Sequence, residues 1–401
     1  MKYLVILGDG MADWPIEKLN GKTPLEVAKK DGIDSIAKVS ELGLCKTVPN
    51  GMKAGSDVAN LSVLGYDPTV CYTGRSPLEA ASIGINLKDT DVTARANLVT
   101  VSDEEDYADK TMIDYSAGEI STEEAKELIT YLKGKLDDDI HTLYAGISYR
   151  HCLVTDKGEI AGDLTPPHDI TGKKIKEHLP TTKVGLNLLE IMKKSYLLLK
   201  DHPINLKRIK EGKNPANSLW FWGEGTKPNL EKFTTRYGIK GSMISAVDLL
   251  KGIAKLTDMQ VIEVNGATGN YDTNFTGKKD AAISALKEND FVYIHMEAPD
   301  ECGHHGDLEN KIFSIEQISE KVVAPIVKEL KKANEDFRIL LCPDHPTPIK
   351  CKTHVAELVP YLIYDSRKTL KGDIYTEKTA SKTGIVIDSG VLLMQRFLKA
   401  D

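Results

Sequence analysis

Three short apolar runs, each closing in a cluster of metal-binding residue types, constrain this chain more than any other feature. Tyr3–Leu7 runs into Gly8-Asp9-Gly10. Phe291–His295 runs into Met296-Glu297-Ala298-Pro299-Asp300, with Glu301-Cys302-Gly303-His304-His305 behind it. Phe337–Cys342 runs into Pro343-Asp344-His345-Pro346. Apolar runs of this length read as buried strands, and two more lie at Val261–Val264 and Val359–Tyr364. Between the second and third, Ile315, Ile318, Val322, Ile326 and Leu330 recur at the spacing of one helical stripe. Strand, helix and strand in series predict an α/β core whose mostly parallel sheet is flanked by helices on both faces. In such a sheet, ligands gather outside the carboxyl ends of the strands, so the three clusters are predicted to converge.

Aspartate and histidine are ligand types for zinc and manganese. Asp300 and His304 are four residues apart and share one side of a helical turn. Asp344 and His345 are adjacent and point to different sides of a strand end, and His354 follows in Lys352-Thr353-His354. Half of the ten histidines lie between His295 and His354. Singly, each residue has a plainer role as a turn former, a cap or a solvated side chain. Together, three strand-end clusters favour a metal site. A nucleophile stands in Ala54-Gly55-Ser56-Asp57-Val58-Ala59-Asn60, where Ser56 opens a helical pattern. A helix start offers free N–H groups to a phosphate, and a metal can activate the hydroxyl. The plainer role of Ser56 is an N-cap, and Ser62 is the rival nucleophile, one to two turns inside the helix.

The 52 basic and 59 acidic residues give a net charge of −7, which does not suit a nucleic-acid binder. No apolar run approaches the ~18 residues of a membrane span, and the run at Tyr3–Leu7 is too short for an export signal. Six scattered cysteines without a C-x-x-C pair fit a reduced, cytoplasmic protein. From about residue 91 to 217, short strand-like pieces (Asn97–Val101, His141–Ala145, His151–Val154) mix with helical runs such as Thr122–Lys135, and Pro166-Pro167 marks a loop. The expected organisation is a core of residues 1–90 and 218–401 with a smaller α+β domain, 91–217, inserted into it.

These segments resemble the archaeal-type cofactor-independent (2,3-bisphosphoglycerate-independent) phosphoglycerate mutases of the alkaline phosphatase superfamily. The likeness rests on Gly8-Asp9-Gly10-Met11, Gly55-Ser56-Asp57-Val58-Ala59-Asn60, Asp300-x-x-x-His304, Pro343-Asp344-His345-Pro346-Thr347-Pro348 and Thr353-His354. In the middle region it continues through Ser148-Tyr149-Arg150-His151 and Pro166-Pro167-His168-Asp169. The resemblance implies an alkaline-phosphatase-like core with the insertion as a lid that excludes water. It implies transfer of phosphate from 3-phosphoglycerate to Ser56 and back to the 2-hydroxyl of glycerate. It assigns Asp9, Ser56, Asp344 and His345 to one divalent ion and Asp300, His304 and His354 to another. Manganese, magnesium or zinc would serve, with no 2,3-bisphosphoglycerate. Binding of the small phosphorylated substrate would fall to Arg150 and His151, then Arg75, Arg95 and Lys240. Departures from the family pattern include Ala96 and Glu119, where Cys and His are common. Asp201-His202-Pro203 and Pro215-Ala216-Asn217 also resemble a bacterial branch thought to include homoserine kinases. The alternatives are therefore a homoserine kinase or another metal-dependent phosphotransferase or phosphatase on the same core. A non-catalytic metal-binding scaffold ranks last, because all seven site residues are present. The sequence carries no signal for the oligomeric state.

Overall fold

The computed structural model describes residues 1–399. The chain folds as two compact units: Met1–Tyr72 together with the chain from Asn229 onward, and the contiguous insertion Thr73–Pro228.

The first unit is built on a sheet of eight strands. They are β1 (Lys2–Gly8), β2 (Glu41–Cys45), β8 (Gly241–Ile244), β9 (Gln260–Ile262), β10 (Phe291–Met296), β11 (Phe337–Cys342), β12 (Val359–Asp365) and β13 (Val386–Ile387). Their order across the sheet is β13-β2-β12-β11-β1-β10-β8-β9. From β11 to β9 every pairing is parallel, whereas β12 runs antiparallel to both β11 and β2. Strands β1, β10 and β11 are buried along nearly their whole length, which is why they read as unbroken apolar runs. One face of the sheet packs on Ile315, Ile318, Val322, Ile326 and Leu330. The predicted stripe therefore forms, but its helix is not uniform. Leu308–Gln317 and Ala324–Lys332 are α-helical, and Ile318–Val323 between them is a π-helical segment.

The insertion has its own five-stranded sheet and its own core. Strands β3 (Val92–Val101), β4 (Met112–Asp114), β5 (His141–Ile147) and β6 (Arg150–Thr155) lie in the order β4-β3-β6-β5, and β7 (Ser218–Thr226) pairs with β3. Helices Thr122–Leu136 and Lys183–Leu199 pack Leu128, Leu132, Leu188 and Met192 into this core. The expected boundaries at 91 and 217 fall inside this unit. Strand β7 pairs antiparallel with β3 from Val92↔Thr226 to Val99↔Ser218, so its apolar run belongs to the inserted sheet and not to the first unit. The helix Ser76–Ser82 packs on β3 and β7 and moves the other boundary back to Thr73. Among the described residues, no helix is long and apolar enough to cross a membrane.

Candidate metal centre

Strand β1 lies between β10 and β11, and the three strands end level. Gly8 is opposite Met296, and Leu7 is opposite Cys342. The residues that follow each strand are therefore forced together at one edge of the sheet. Asp9 N donates to Met296 O (3.0 Å), and Gly10 N donates to Asp344 Oδ1 (3.2 Å). Gly10 has φ +61°, and a Cβ there would lie 2.6 Å from Asp300 Cα. The β1 loop thus rests directly on the helix Ala298–His305, which only glycine permits.

This packing brings seven side chains of the first unit into one cluster: Asp9, Ser56, Asp300, His304, Asp344, His345 and His354. His345 Nε2 lies 3.3 Å from Asp344 Oδ2, 3.8 Å from Asp9 Oδ1 and 3.3 Å from Ser56 Oγ. Asp300 Oδ2 lies 3.2 Å from His304 Nε2, and its Oδ1 lies 3.5 Å from His354 Nε2. The two imidazole nitrogens are 2.9 Å apart. Ligand atoms of Asp300, His304 and His354 all lie within 4.8 Å of one another, as do those of Asp9, Asp300 and His345, which joins the two sets.

The cluster carries the electrostatic mark of a cation site. Asp9 is buried, and its Oδ1 has no hydrogen-bond partner. Burial first, then the Asp344 and Asp300 carboxylates, push the Asp9 carboxyl well above its usual range. A buried, unpartnered carboxylate oxygen facing other carboxylates is costly unless a cation compensates it. Around Asp300, burial opposes ionisation, but hydrogen bonds to His304 and His354 outweigh it and hold the carboxyl well below its usual value. The same hydrogen bond raises His304 to about 9. Three carboxylates, three imidazoles and a hydroxyl suit manganese, zinc or magnesium.

Ser56 is the first residue of the helix Ser56–Val63, half-buried beside His345. Ser62 is on another side of that helix, fully buried, with its Oγ accepting from Gly390 N (3.1 Å). Of the two candidate nucleophiles, only Ser56 faces the cluster.

The substrate-binding candidates fall elsewhere. Four of them, Arg75, Arg95, Arg150 and His151, belong to the insertion. Glu79 lies between two guanidiniums, accepting from Arg75 Nε (2.9 Å) and pairing with Arg95 Nε at 2.8 Å, out of line for a hydrogen bond. Arg95 is buried and stacks 4.0 Å over Trp222, and Arg150 stacks 4.3 Å over Tyr149. Burial, with Arg75 and Arg150 nearby, lowers Arg95 to about 10 even against Glu79. His151 is buried and accepts from Gly146 N at Nδ1 (3.0 Å), so Nε2 carries its proton and has no partner. Burial lowers it to about 3, and it is neutral. Lys240 is not near the metal cluster. It precedes β8, at the amino edge of the sheet, where its backbone pairs with Asp290 and Phe291 and its side chain is exposed.

Sequence reasoning passed over several supporting residues. His295, next to last in β10, places Nε2 2.8 Å from Asp9 Oδ2, while its Nδ1 meets Ser245 Oγ (3.3 Å). Lys278, fully buried, donates to His295 O (3.0 Å). Asn60 donates to Asp344 Oδ2 (3.0 Å) and Ser56 O (2.9 Å) and accepts from Tyr293 OH (2.6 Å). Two signals were readable: a histidine ending an otherwise apolar run, and an asparagine one helical turn after Ser56.

Comparison with known proteins agrees with this arrangement. The family model described as 2,3-bisphosphoglycerate-independent phosphoglycerate mutase matches residues 37–205. A 2,3-bisphosphoglycerate-independent phosphoglycerate mutase of Methanosarcina barkeri is 51% identical over 385 residues, 95% of each chain. A probable mutase of the same name from Geobacter sulfurreducens is 46% identical over 400 residues, covering 99% of this chain and 100% of that one. Among solved structures, the PH0037 protein from Pyrococcus horikoshii matches at TM-score 0.82 and 31% identity, over 99% of this chain and 97% of that one. The cofactor-independent phosphoglycerate mutase from Thermoplasma acidophilum shares the fold at TM-score 0.66 and 23% identity, over 99% of both chains. The chain belongs to the 2,3-bisphosphoglycerate-independent phosphoglycerate mutase family, a family of isomerases.

Proposed function

We propose that this member of the family interconverts 3-phosphoglycerate and 2-phosphoglycerate through a phosphoserine at Ser56, beside two divalent ions. The observation that carries the reading is the position of Ser56 Oγ, 3.3 Å from His345 Nε2 at the rim of a cluster that contains the unpartnered Asp9 Oδ1. Asp9, Ser56, Asp344 and His345 would hold one ion, and Asp300, His304 and His354 the other. When bound, the ions supply Lewis-acid neutralisation of the phosphoryl oxygens and lower the pKa of the serine hydroxyl.

The chain's own groups do the rest. Ser56 Oγ bonds to phosphorus as the bond from phosphorus to the 3-oxygen breaks; the serine loses a proton and the glycerate oxygen gains one. In the return transfer, the glycerate 2-oxygen bonds to phosphorus, Oγ departs, and the protons move the opposite way. The first N–H groups of the helix Ser56–Val63 favour the negative phosphoserine. Asn60 ties Ser56 O to Asp344, which keeps the nucleophile in register with its ligands. In the insertion, Arg75, Arg95, Arg150 and His151 recognise the substrate's anionic groups, since guanidinium forks match carboxylate and phosphate. This makes 73–228 the substrate-binding unit. A cytoplasmic address belongs to the same reading, supported by six cysteines that are all free thiols.

The test is an assay of purified protein with manganese and 3-phosphoglycerate, without nucleotide, followed by phosphorus NMR. Formation of 2-phosphoglycerate is expected. Release of inorganic phosphate without isomerised product, or a requirement for ATP and homoserine, would sink the reading.

A further inference from the structure

Between the two ligand sets sits a threonine that no role above uses. Thr347 follows His345 by two residues and is completely buried. Its hydroxyl donates to Asp300 Oδ1 and lies 3.3 Å from His345 Nδ1. A hydroxyl has one proton, and an ionised carboxylate can only accept. With that proton committed to Asp300, Thr347 Oγ1 can only accept from His345. The proton of neutral His345 is therefore on Nδ1, and the Nε2 lone pair faces Ser56 Oγ, Asp344 Oδ2 and Asp9 Oδ1.

The threonine is held in place by a buried cation. Lys311 Nζ donates to Thr347 O (2.8 Å) and Asp13 Oδ2 (2.8 Å). Asp13 Oδ2 also accepts from Ile349 N (3.1 Å), so the loops after β1 and β11 are stapled together. On the other side, a Cβ on Gly303 would lie 2.5 Å from Thr347 O, so the helix bearing Asp300 and His304 packs directly on this loop.

We propose that Thr347 is a positioning residue that fixes the His345 tautomer and ties it to Asp300, so that one hydroxyl tunes both ion sites. The inference rests on the two-ion reading above. Without the hydroxyl, His345 is free to carry its proton on Nε2, where an incoming ion must displace it, and Asp300 Oδ1 loses its tether. Loss of such an outer partner costs roughly 10- to 100-fold in metal affinity.

The experiment titrates metal-free protein with manganese, following free ion by electron paramagnetic resonance, in wild type, T347V and T347S. T347V is expected to bind about 10- to 100-fold more weakly, and T347S, which keeps the hydroxyl, to return most of that loss. Long-range proton–nitrogen spectra of histidine-labelled, metal-free protein read the tautomer directly. Wild-type His345 should show the Nδ1–H pattern, and T347V should lose it. T347A removes the same hydroxyl and serves if T347V does not fold. Wild-type manganese affinity in T347V or T347A, or an Nε2–H His345 in the wild type, would overturn the inference. A wild-type protein that takes up no manganese would overturn the two-ion reading and this inference with it.

Discussion

The first unit gathers carboxylates where the insertion gathers guanidiniums. In the first unit, Asp9, Asp300 and Asp344 meet at the ends of β1, β10 and β11, and one carboxylate oxygen lacks a hydrogen-bond partner. In the insertion, Glu79 lies between Arg75 and Arg95, with Arg150 also close enough to act on it. Excess negative charge calls for cations and excess positive charge for anions. On the proposed reading, one unit holds metal and the other reads a carboxylate or phosphate. The two sites are also made differently. Loop residues and helix starts beyond the ends of parallel strands make the first. The second draws mainly on side chains within a sheet, with Arg95 in mid-strand on β3 and Arg150 opening β6, while Arg75 caps the helix Ser76–Ser82.

This contrast can be broken by mutation. The largest expected effect is from Ser56→Ala, which should lower turnover by about 10⁴-fold or more, as loss of a nucleophile does elsewhere. Retention of wild-type turnover would move the chemistry away from the helix Ser56–Val63. Next come two changes that should separate the sites. Arg150→Ala should raise the KM for 3-phosphoglycerate by about 10- to 100-fold, through loss of a charged hydrogen bond, and leave manganese affinity unchanged. His295→Ala should do the reverse, weakening manganese binding by about 10- to 100-fold, because it removes the partner of Asp9 Oδ2, with little change in KM. If both variants moved both quantities alike, the division of labour would fail. The smallest effect belongs to Lys240→Ala, expected to change kcat/KM by less than about twofold, as for most exposed sites. A large loss there would show that the amino edge of the sheet takes part after all.

The difference between the units also explains what could be read from the sequence. Residues that follow strands appear as Asp-x-x-x-His or Asp-His directly after an apolar run, so the gathering of these carboxylates and imidazoles was visible before any coordinates. An arginine within a strand has no such context. Arg95 and Arg150 were found only through a resemblance to known proteins, and Lys240, found the same way, sits at the wrong edge. Strand β7 was assigned to the first unit because an apolar run does not announce which sheet it joins; its pairing with β3 is set by tertiary packing. Thr347, Lys311 and Lys278 were unreadable for a related reason. A lone threonine or lysine in sequence is ordinary, and its meaning comes entirely from neighbours contributed by remote segments.

The threading of β1 between β10 and β11 also bears on how this molecule is born. Strand β1 is synthesised long before either of its two neighbours, β10 and β11. The contiguous insertion, made between them, can complete its own sheet while synthesis continues, whereas the first unit must wait for β10 before β1 has anything to pair with. The carboxylates and imidazoles that follow those strands therefore cannot gather until β10 and β11 have both been made.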